Sequence, residues 1–340
     1  MRNPLALAAI PASALLLASC AQPAQQGGGD GGGGDFSDIT IGTGSTSGVY
    51  YPLGGALAEV ISSEVEGTTA SATSTEASVA NMKQIGSEQL QMGIAQSDAT
   101  SQAVNGERDF ENTAVDAKVL TALYPNVYHA VSLESINEEQ DFECFSDVDG
   151  ERYSAGPAGS GNALANELIF NALELGFTST DVQHLDYADT STALRDGTID
   201  AGSWVVGEGH NTLLELEATD PIHLIPFCDD ERELITDSYP YYSDHVISGG
   251  TYSTVEDDVN TIALWNLLVV PSDFPEDKAY DVLDALYNNT DQLTSVYAAG
   301  EDYFVPETMA ESSVTMHPGA VKWAEDNGVE LPEEVLPEES

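Results

Sequence analysis

The sequence predicts an α/β protein of two lobes, with the chain running from the first lobe to the second and back. Three observations predict it. From Asp38 onward, short apolar runs alternate with segments of helical apolar spacing, the order that lays helices on largely parallel strands. A unit of strand, glycine-rich turn and helix occurs twice, at 39–65 and 153–175. The 340-residue chain is also longer than one core accommodates, since single cores stop growing at about 250 to 300 residues.

Met1-Arg2 and the apolar run 5–18, broken only by Pro11 and Ser13, form a basic start and a short apolar core. The run falls below the roughly 20 residues needed to cross a bilayer, so 1–19 reads as an export signal. Leu17-Ala18-Ser19-Cys20 has the form of a lipobox, and Cys20 is the expected lipid anchor, tethering the protein to the outer face of the cytoplasmic membrane. An ordinary signal whose cleavage site contains cysteine is the alternative. Residues 20–35 are mostly Gln, Gly and Asp, a flexible tether that spans roughly 20 Å. No later segment is long and apolar enough to span, so the exported chain is expected to be soluble or tethered.

Strand 39–41 runs into the turn 42–48, and Leu53, Leu57, Val60 and Ile61 give the following helix its apolar face. A strand at 69–75 and a helix at 78–85 follow, then a strand at 90–95 ending on Gln96-Ser97-Asp98. Strand 127–133 opens the second set, where Gly156-Pro157-Ala158-Gly159-Ser160-Gly161-Asn162 leads into a helix at 163–175. A helix at 190–195 and strands at 199–206 and 222–226 complete it. Strand 261–270, a helix at 279–293 and a helix at 317–327 return to the first lobe. Lobe one is therefore 36–130 with 246–340, and lobe two is 131–245. Crossings near 127–133 and 243–252 make a hinge, with the site between the lobes.

Against 58 acidic side chains stand 9 basic ones, a net charge of −49. That excludes nucleic acid, whose phosphates need Lys and Arg. Such a surface repels itself in dilute buffer, whereas molar salt shortens the screening length to about 3 Å. The charge reads as adaptation to a saline milieu. At 41% hydrophobic content the chain has ample material for a core.

The turn 42–48 lacks the lysine of a nucleotide phosphate loop, and no Gly-x-Ser-x-Gly surrounds Ser45 or Ser160, which argues against nucleotide hydrolysis and a hydrolase nucleophile. The six histidines show no zinc spacing, and 147–151 lacks the carboxylates of a calcium loop. No catalytic group, metal or cofactor is expected. Glycine-rich turns ahead of helices instead offer backbone N–H groups to an anionic or carbonyl oxygen. Tyr50, Tyr51 and Trp204 either wall a ligand or pack the lobes. Cys144 and Cys228 either pair outside the cell or remain free thiols. Asn288-Asn289-Thr290 is a possible glycosylation sequon at Asn288.

ITIGTGSTSGVYYPLGGALA at 39–58 closely resembles the opening of the TAXI family, the solute receptors of one class of TRAP transporter. The likeness continues in order through TEASVAN at 75–81, GIAQSD at 93–98, DGERYSAGPAGSG at 149–161, DGTIDA at 196–201, GTY at 250–252 and MHPGA at 316–320. Glu76-Ala77 stands where the family often has Gly-Gly, and Glu151-Arg152 where it has a basic pair. The resemblance implies a two-lobed periplasmic-binding-protein fold of the second type. It implies a receptor that closes on a small organic acid or amino acid, glutamate-like, and delivers it to the membrane permease subunits of an ion-gradient-driven transporter. A receptor for a phosphate-like anion serving an ATP-driven importer, and a sensing module without transport, are the other readings. Carried over, the ligand-binding residues are Thr43, Ser45, Tyr50, Thr75, Ser78, Asn81, Gln96 and Asp98 from lobe one and Ser160 and Asn162 from lobe two. Asn81 and Gln96 would orient the ligand. Asp98 would either meet an ammonium group or cap the next helix.

Overall fold

The computed structural model describes residues 36–177 and 181–337; the export signal 1–19, Cys20 and the tether 20–35 lie outside them. The first lobe opens with β1 (Asp38–Gly42), α1 (Tyr50–Glu64), β2 (Thr69–Thr73), α2 (Ser78–Gly86), β3 (Met92–Gln96) and α3 (Ser97–Asn105). A long strand, β4 (Ala117–Leu133), carries the chain onward to α4 (Glu134–Gln140), β5 (Arg152–Ser154), α5 (Gly161–Ala172) and β6 (Asp181–Gln183). Then come α6 (Tyr187–Arg195), β7 (Ala201–Val206), α7 (Asn211–Glu217), β8 (Ile222–Ile225), α8 (Asp229–Ser238) and β9 (Ser243–Ile247). A second long strand, β10 (Val259–Pro271), returns to α9 (Glu276–Asn288), α10 (Thr290–Val296) and α11 (Pro318–Asn327).

One continuous sheet joins the lobes in the order β2-β1-β3-β10-β4-β7-β5-β6, with β8 on β4 and β9 on β10. The strands expected to be largely parallel are so only at the two flanks, where β1 pairs with β2 and β3, and β5 with β6 and β7. The centre is antiparallel because β4 and β10 run past each other through both lobes. β3 joins β10 at 266–269, while β7 joins β4 at 127–131. Between these pairings β4 has only β10 beside it, and there the chain tolerates Pro125, opposite Trp265, without losing a ladder donor it needs. Register shifts between Asn266 and Leu267 and between Leu268 and Val269 leave Leu123 and Leu120 of β4 without a β10 partner, and these extra residues bend β4 on the lobe-one side of Pro125.

The crossings therefore lie at about 124–127 in β4 and 263–266 in β10. The sequence reading placed the second one earlier, near 243–252. Those residues instead stay with the second lobe: β9 pairs with β10 at 259–263, and the Tyr252 hydroxyl meets His129 Nε2 at 2.9 Å. β10 is one continuous strand, and nothing along it marks where one lobe ends. Other boundaries moved less. The 190–195 helix begins at Tyr187, and the 279–293 helix breaks at Asn289 into α9 and α10.

In lobe one, Leu53, Leu57, Val60 and Ile61 of α1 bury against Ile39, Ile41 and the α9 residues Val282, Leu283 and Leu286. Lobe two packs Trp204, Leu213, Leu216, Ile222 and Tyr252 together. A third cluster crosses the divide, with Val79, Met82 and Ala99 sharing a core with Leu164 and Leu168. Each fully buried Val, Leu, Ile or Met side chain among them contributes about 1.5 to 3 kcal/mol. Cys144 and Cys228 are joined as a disulfide, their Cα atoms 5.5 Å apart, fastening the turn before 145–148 to the start of α8. The nearby Glu231 carboxylate accepts the Ser146 and Cys228 amides, each at 2.8 Å. Arg152 grips Asp200 with Nε and with its own amide, at 2.8 and 3.0 Å, which ties β5 to the turn entering β7.

Candidate ligand-binding site

Both lobes face a cavity of about 290 Å³. Its wall includes the first residues of four helices: Tyr50 of α1, Ser78 of α2, Gly161 of α5 and Tyr187 of α6. α1 and α2 belong to lobe one, and α5 and α6 to lobe two. Among the described residues, the amides of Ser78, Gly161, Asn162 and Tyr187, all of which line the cavity, have no hydrogen-bond acceptor within the protein. They are the free N–H groups that every helix start exposes. Each helix start also carries about half a positive charge, so the cavity is a place where several positive dipole ends converge.

The loops ahead of these helices explain the geometry. Ser160 caps α5, its Oγ accepting the Ala163 amide at 3.1 Å, and Asp186 caps α6 through the Asp189 amide at 2.8 Å. Ala77, ahead of α2, is held at φ +74° and ψ −142°, a conformation that favours glycine and costs of order 1 to 3 kcal/mol for other residues. Its amide is held by Thr75 Oγ1 at 3.0 Å. The Ala80 amide reaches the Gly159 carbonyl of the other lobe at 3.2 Å, so α2 and the glycine turn of lobe two touch across the mouth.

Seven of the ten residues singled out from the sequence line this cavity: Ser45, Tyr50, Thr75, Ser78, Gln96, Ser160 and Asn162. Three lie behind it. Thr43 is fully buried and donates its hydroxyl to the Thr73 carbonyl at 2.6 Å. Asn81, also fully buried, donates Nδ2 to the Thr43 and Ile94 carbonyls at 2.7 and 2.8 Å and accepts the Thr75 hydroxyl at 2.6 Å. Asn81 thus shapes the loop that holds Thr75 and orients no ligand itself. Asp98 accepts the Ala99 amide at 2.6 Å and the Tyr242 hydroxyl at 2.9 Å. Its carboxyl faces the segment before β9, so the ammonium contact considered for it is replaced by a link between lobe one and that segment. Burial pushes the Asp98 carboxyl up to about 7 despite those two hydrogen bonds.

Gln96 is 3% exposed, and its Oε1 has no partner within the protein. It lies against Gly161 of the opposite lobe, where a Cβ would come within 1.9 Å of it. Asn162 is braced from within lobe two, donating Nδ2 to the Ser203 carbonyl and accepting the Ser203 hydroxyl at 2.9 and 3.0 Å. Beneath the cavity, the Tyr50 hydroxyl donates to Asn266 Oδ1, which also accepts Asn126 Nδ2 at 3.1 Å. Asn266 Nδ2 donates to the Tyr124 carbonyl at 2.9 Å. Burial raises the Tyr50 and Tyr187 hydroxyl pKa values far above neutrality, so both remain protonated donors.

Tyr124, Asn126, Pro157, Asp186, Tyr187, Val205 and Val206 line the cavity without having been singled out. Two signals point to some of them. Asp186 three residues before Asp189 is a helix-start pattern, and Pro125 inside an apolar run marks the strand crossing beside Tyr124 and Asn126. Trp204 packs inside lobe two, its Nε1 donating to Thr212 Oγ1 at 3.0 Å, and Tyr51 is exposed. Asn288 lies exposed at the end of α9, its Nδ2 on the Asp284 carbonyl at 2.8 Å. Among the described residues, the one grouping of metal-type ligands is Cys144, Cys228 and Glu231, whose sulfurs are bonded to each other. No helix among them is long and apolar enough to cross a membrane.

A family model described as the NMT1-like family matches residues 41–328. Among solved structures, XAC2383 from Xanthomonas citri bound to ATP superposes with a TM-score of 0.52 at 9% identity, covering 85% of this chain and 98% of that one. The same protein bound to chloride ion gives 0.51 at 10% identity, covering 85% and 99%. The periplasmic aliphatic sulphonate binding protein SsuA from Escherichia coli gives 0.47 at 10% identity, covering 88% and 96%. At such identities a structural likeness speaks to the fold alone.

Proposed function

Since the chain belongs to the NMT1-like family, which corresponds to the TAXI-type substrate-binding proteins of TRAP transporters, we propose that it captures a small carboxylate or amino acid between its lobes for such a transporter. The fold is that of type II periplasmic binding proteins, and the protein is a solute-binding protein of that type. One observation carries the ligand class: helix starts from both lobes turn unpaired amides onto one cavity. A carboxylate held there draws hydrogen bonds from both sides and favours the closed form. Hand-over then goes to an ion-gradient-driven permease, with the receptor held at the outer face of the cytoplasmic membrane through lipidated Cys20.

A thermal-shift screen of the purified protein in molar KCl tests this, with L-glutamate, L-glutamine, 2-oxoglutarate, succinate and phosphate. A ligand at 100 times its Kd adds about 2.7 kcal/mol to the native state. Stabilisation by a carboxylate-bearing solute is the expected result. Stabilisation by phosphate alone would move the protein to the anion-receptor reading, and no response to any of them would overturn capture of these solutes and return the ligand to unknown.

A further inference from the structure

The charged side chains around the cavity are all of one sign. Glu76 and Asp186 line it, while no lysine, arginine or histidine does. Asp186 is engaged in capping α6. Glu76 is exposed at the mouth, where a methyl group on Gly159 of the other lobe would touch it. Independently, Gln96 offers a buried carbonyl oxygen with no protein partner. The cavity therefore supplies free amide donors and, close beside those of Ser78 and Gly161, acceptors that need donors. Tyr124, Tyr187, Val205 and Val206 give the wall an aromatic and aliphatic part beside uncharged polar residues such as Ser45, Asn126 and Asn162.

We propose that the cavity selects an amino acid with an uncharged, partly apolar side chain and refuses solutes carrying a second carboxylate. This rests on the receptor reading above and narrows it. The single carboxylate takes the helix-start amides, and the ammonium group faces Glu76 and Gln96. The side chain lies against Tyr187 and Val205. A second carboxylate would find no cation among the lining residues and would be buried beside Glu76 and Asp186, a pairing of like charges without a partner. Molar salt screens charges at long range, but it leaves contacts of a few ångströms largely intact.

Calorimetric titrations in molar KCl of the wild type and Glu76→Gln, with L-leucine, L-glutamine, L-glutamate and succinate, test the assignment. Glu76 is exposed, so its replacement leaves the core untouched. L-leucine or L-glutamine should bind the wild type at least about tenfold more tightly than L-glutamate, a difference of about 1.4 kcal/mol. Glu76→Gln should narrow that ratio by about the same factor. Equal or tighter binding of L-glutamate or succinate by the wild type would overturn the charge selection and leave the receptor intact. A ratio unmoved by Glu76→Gln would overturn the role of Glu76. Failure of all four solutes to bind would overturn the selection of an amino acid, while a shift with 2-oxoglutarate in the thermal screen would leave the receptor reading standing.

Discussion

Gly161→Ala places a methyl group where the facing lobes leave no room. A Cβ there would lie 1.9 Å from Gln96 Oε1, 2.5 Å from Gln96 Cδ and 2.8 Å from Ser78 Oγ, all of them on lobe one. Gln96 is buried, so its side chain must either swing into the cavity or hold the lobes apart. Overpacking of this kind costs about 1 to 3 kcal/mol, and the cost falls on the closed form alone. Apparent affinity then drops with the fraction of closed protein, by about 5- to 150-fold. Calorimetric titration in molar KCl, using whichever carboxylate-bearing solute the thermal screen selects, reads the loss directly. The ligand-free unfolding temperature should hold or rise slightly, because alanine is the better helix former at the first turn of α5. In a Gln96→Ala background the penalty should shrink, since the main clash is gone. A loss below about twofold, or an equal penalty in both backgrounds, would refute closure through this contact.

Three further outcomes follow from the same structure. Burial raises the Asp98 carboxyl to about 7 from about 3.9 unfolded, so its contribution to stability is complete below pH 4 and is lost as pH rises to 7; urea unfolding should show Asp98→Asn gaining about 3 kcal/mol on the wild type between pH 5 and 8, with ligand affinity held within about threefold, and a constant gap would contradict the burial. Reducing the disulfide opens a loop with a sequence separation of 84, worth about 4 to 5 kcal/mol in the chain-entropy model; the unfolding midpoint should fall while ligand affinity stays, and an unchanged midpoint would argue against a stabilising bond. Diluting KCl from 1 M to 0.1 M extends the screening length from about 3 Å to about 10 Å; with a net charge of −49 the unfolding temperature should drop, and a constant value would remove the saline reading of the charge.

The parts of the site legible in the sequence are those set by local rules. The turns at 42–48 and 156–162 announce helix starts by their glycines and hydroxyls, and Ser45, Ser160 and Asn162 reach the cavity for that reason. Thr43, Asn81 and Asp98 stand in the same motifs, yet each spends its polar atoms on a distant carbonyl or hydroxyl. Which polar side chain faces a ligand and which braces a loop is decided by tertiary neighbours, and spacing along the chain is silent about those. The second crossing was hidden for a similar reason, since β10 runs as one strand through 263–266 and only its pairing partners change there. Gln96 is the reverse case: the motif named it, but only the structure shows its oxygen unpartnered against Gly161.

Capture between the lobes requires the amides of both to hold one ligand. Hydrogen exchange of the purified protein in molar KCl, with and without the binding solute, tests that directly. Exchange should slow together at 76–81 and 159–164, with α9 and α11 unchanged. Protection confined to one lobe, or appearing only away from these two segments, would contradict capture between the lobes.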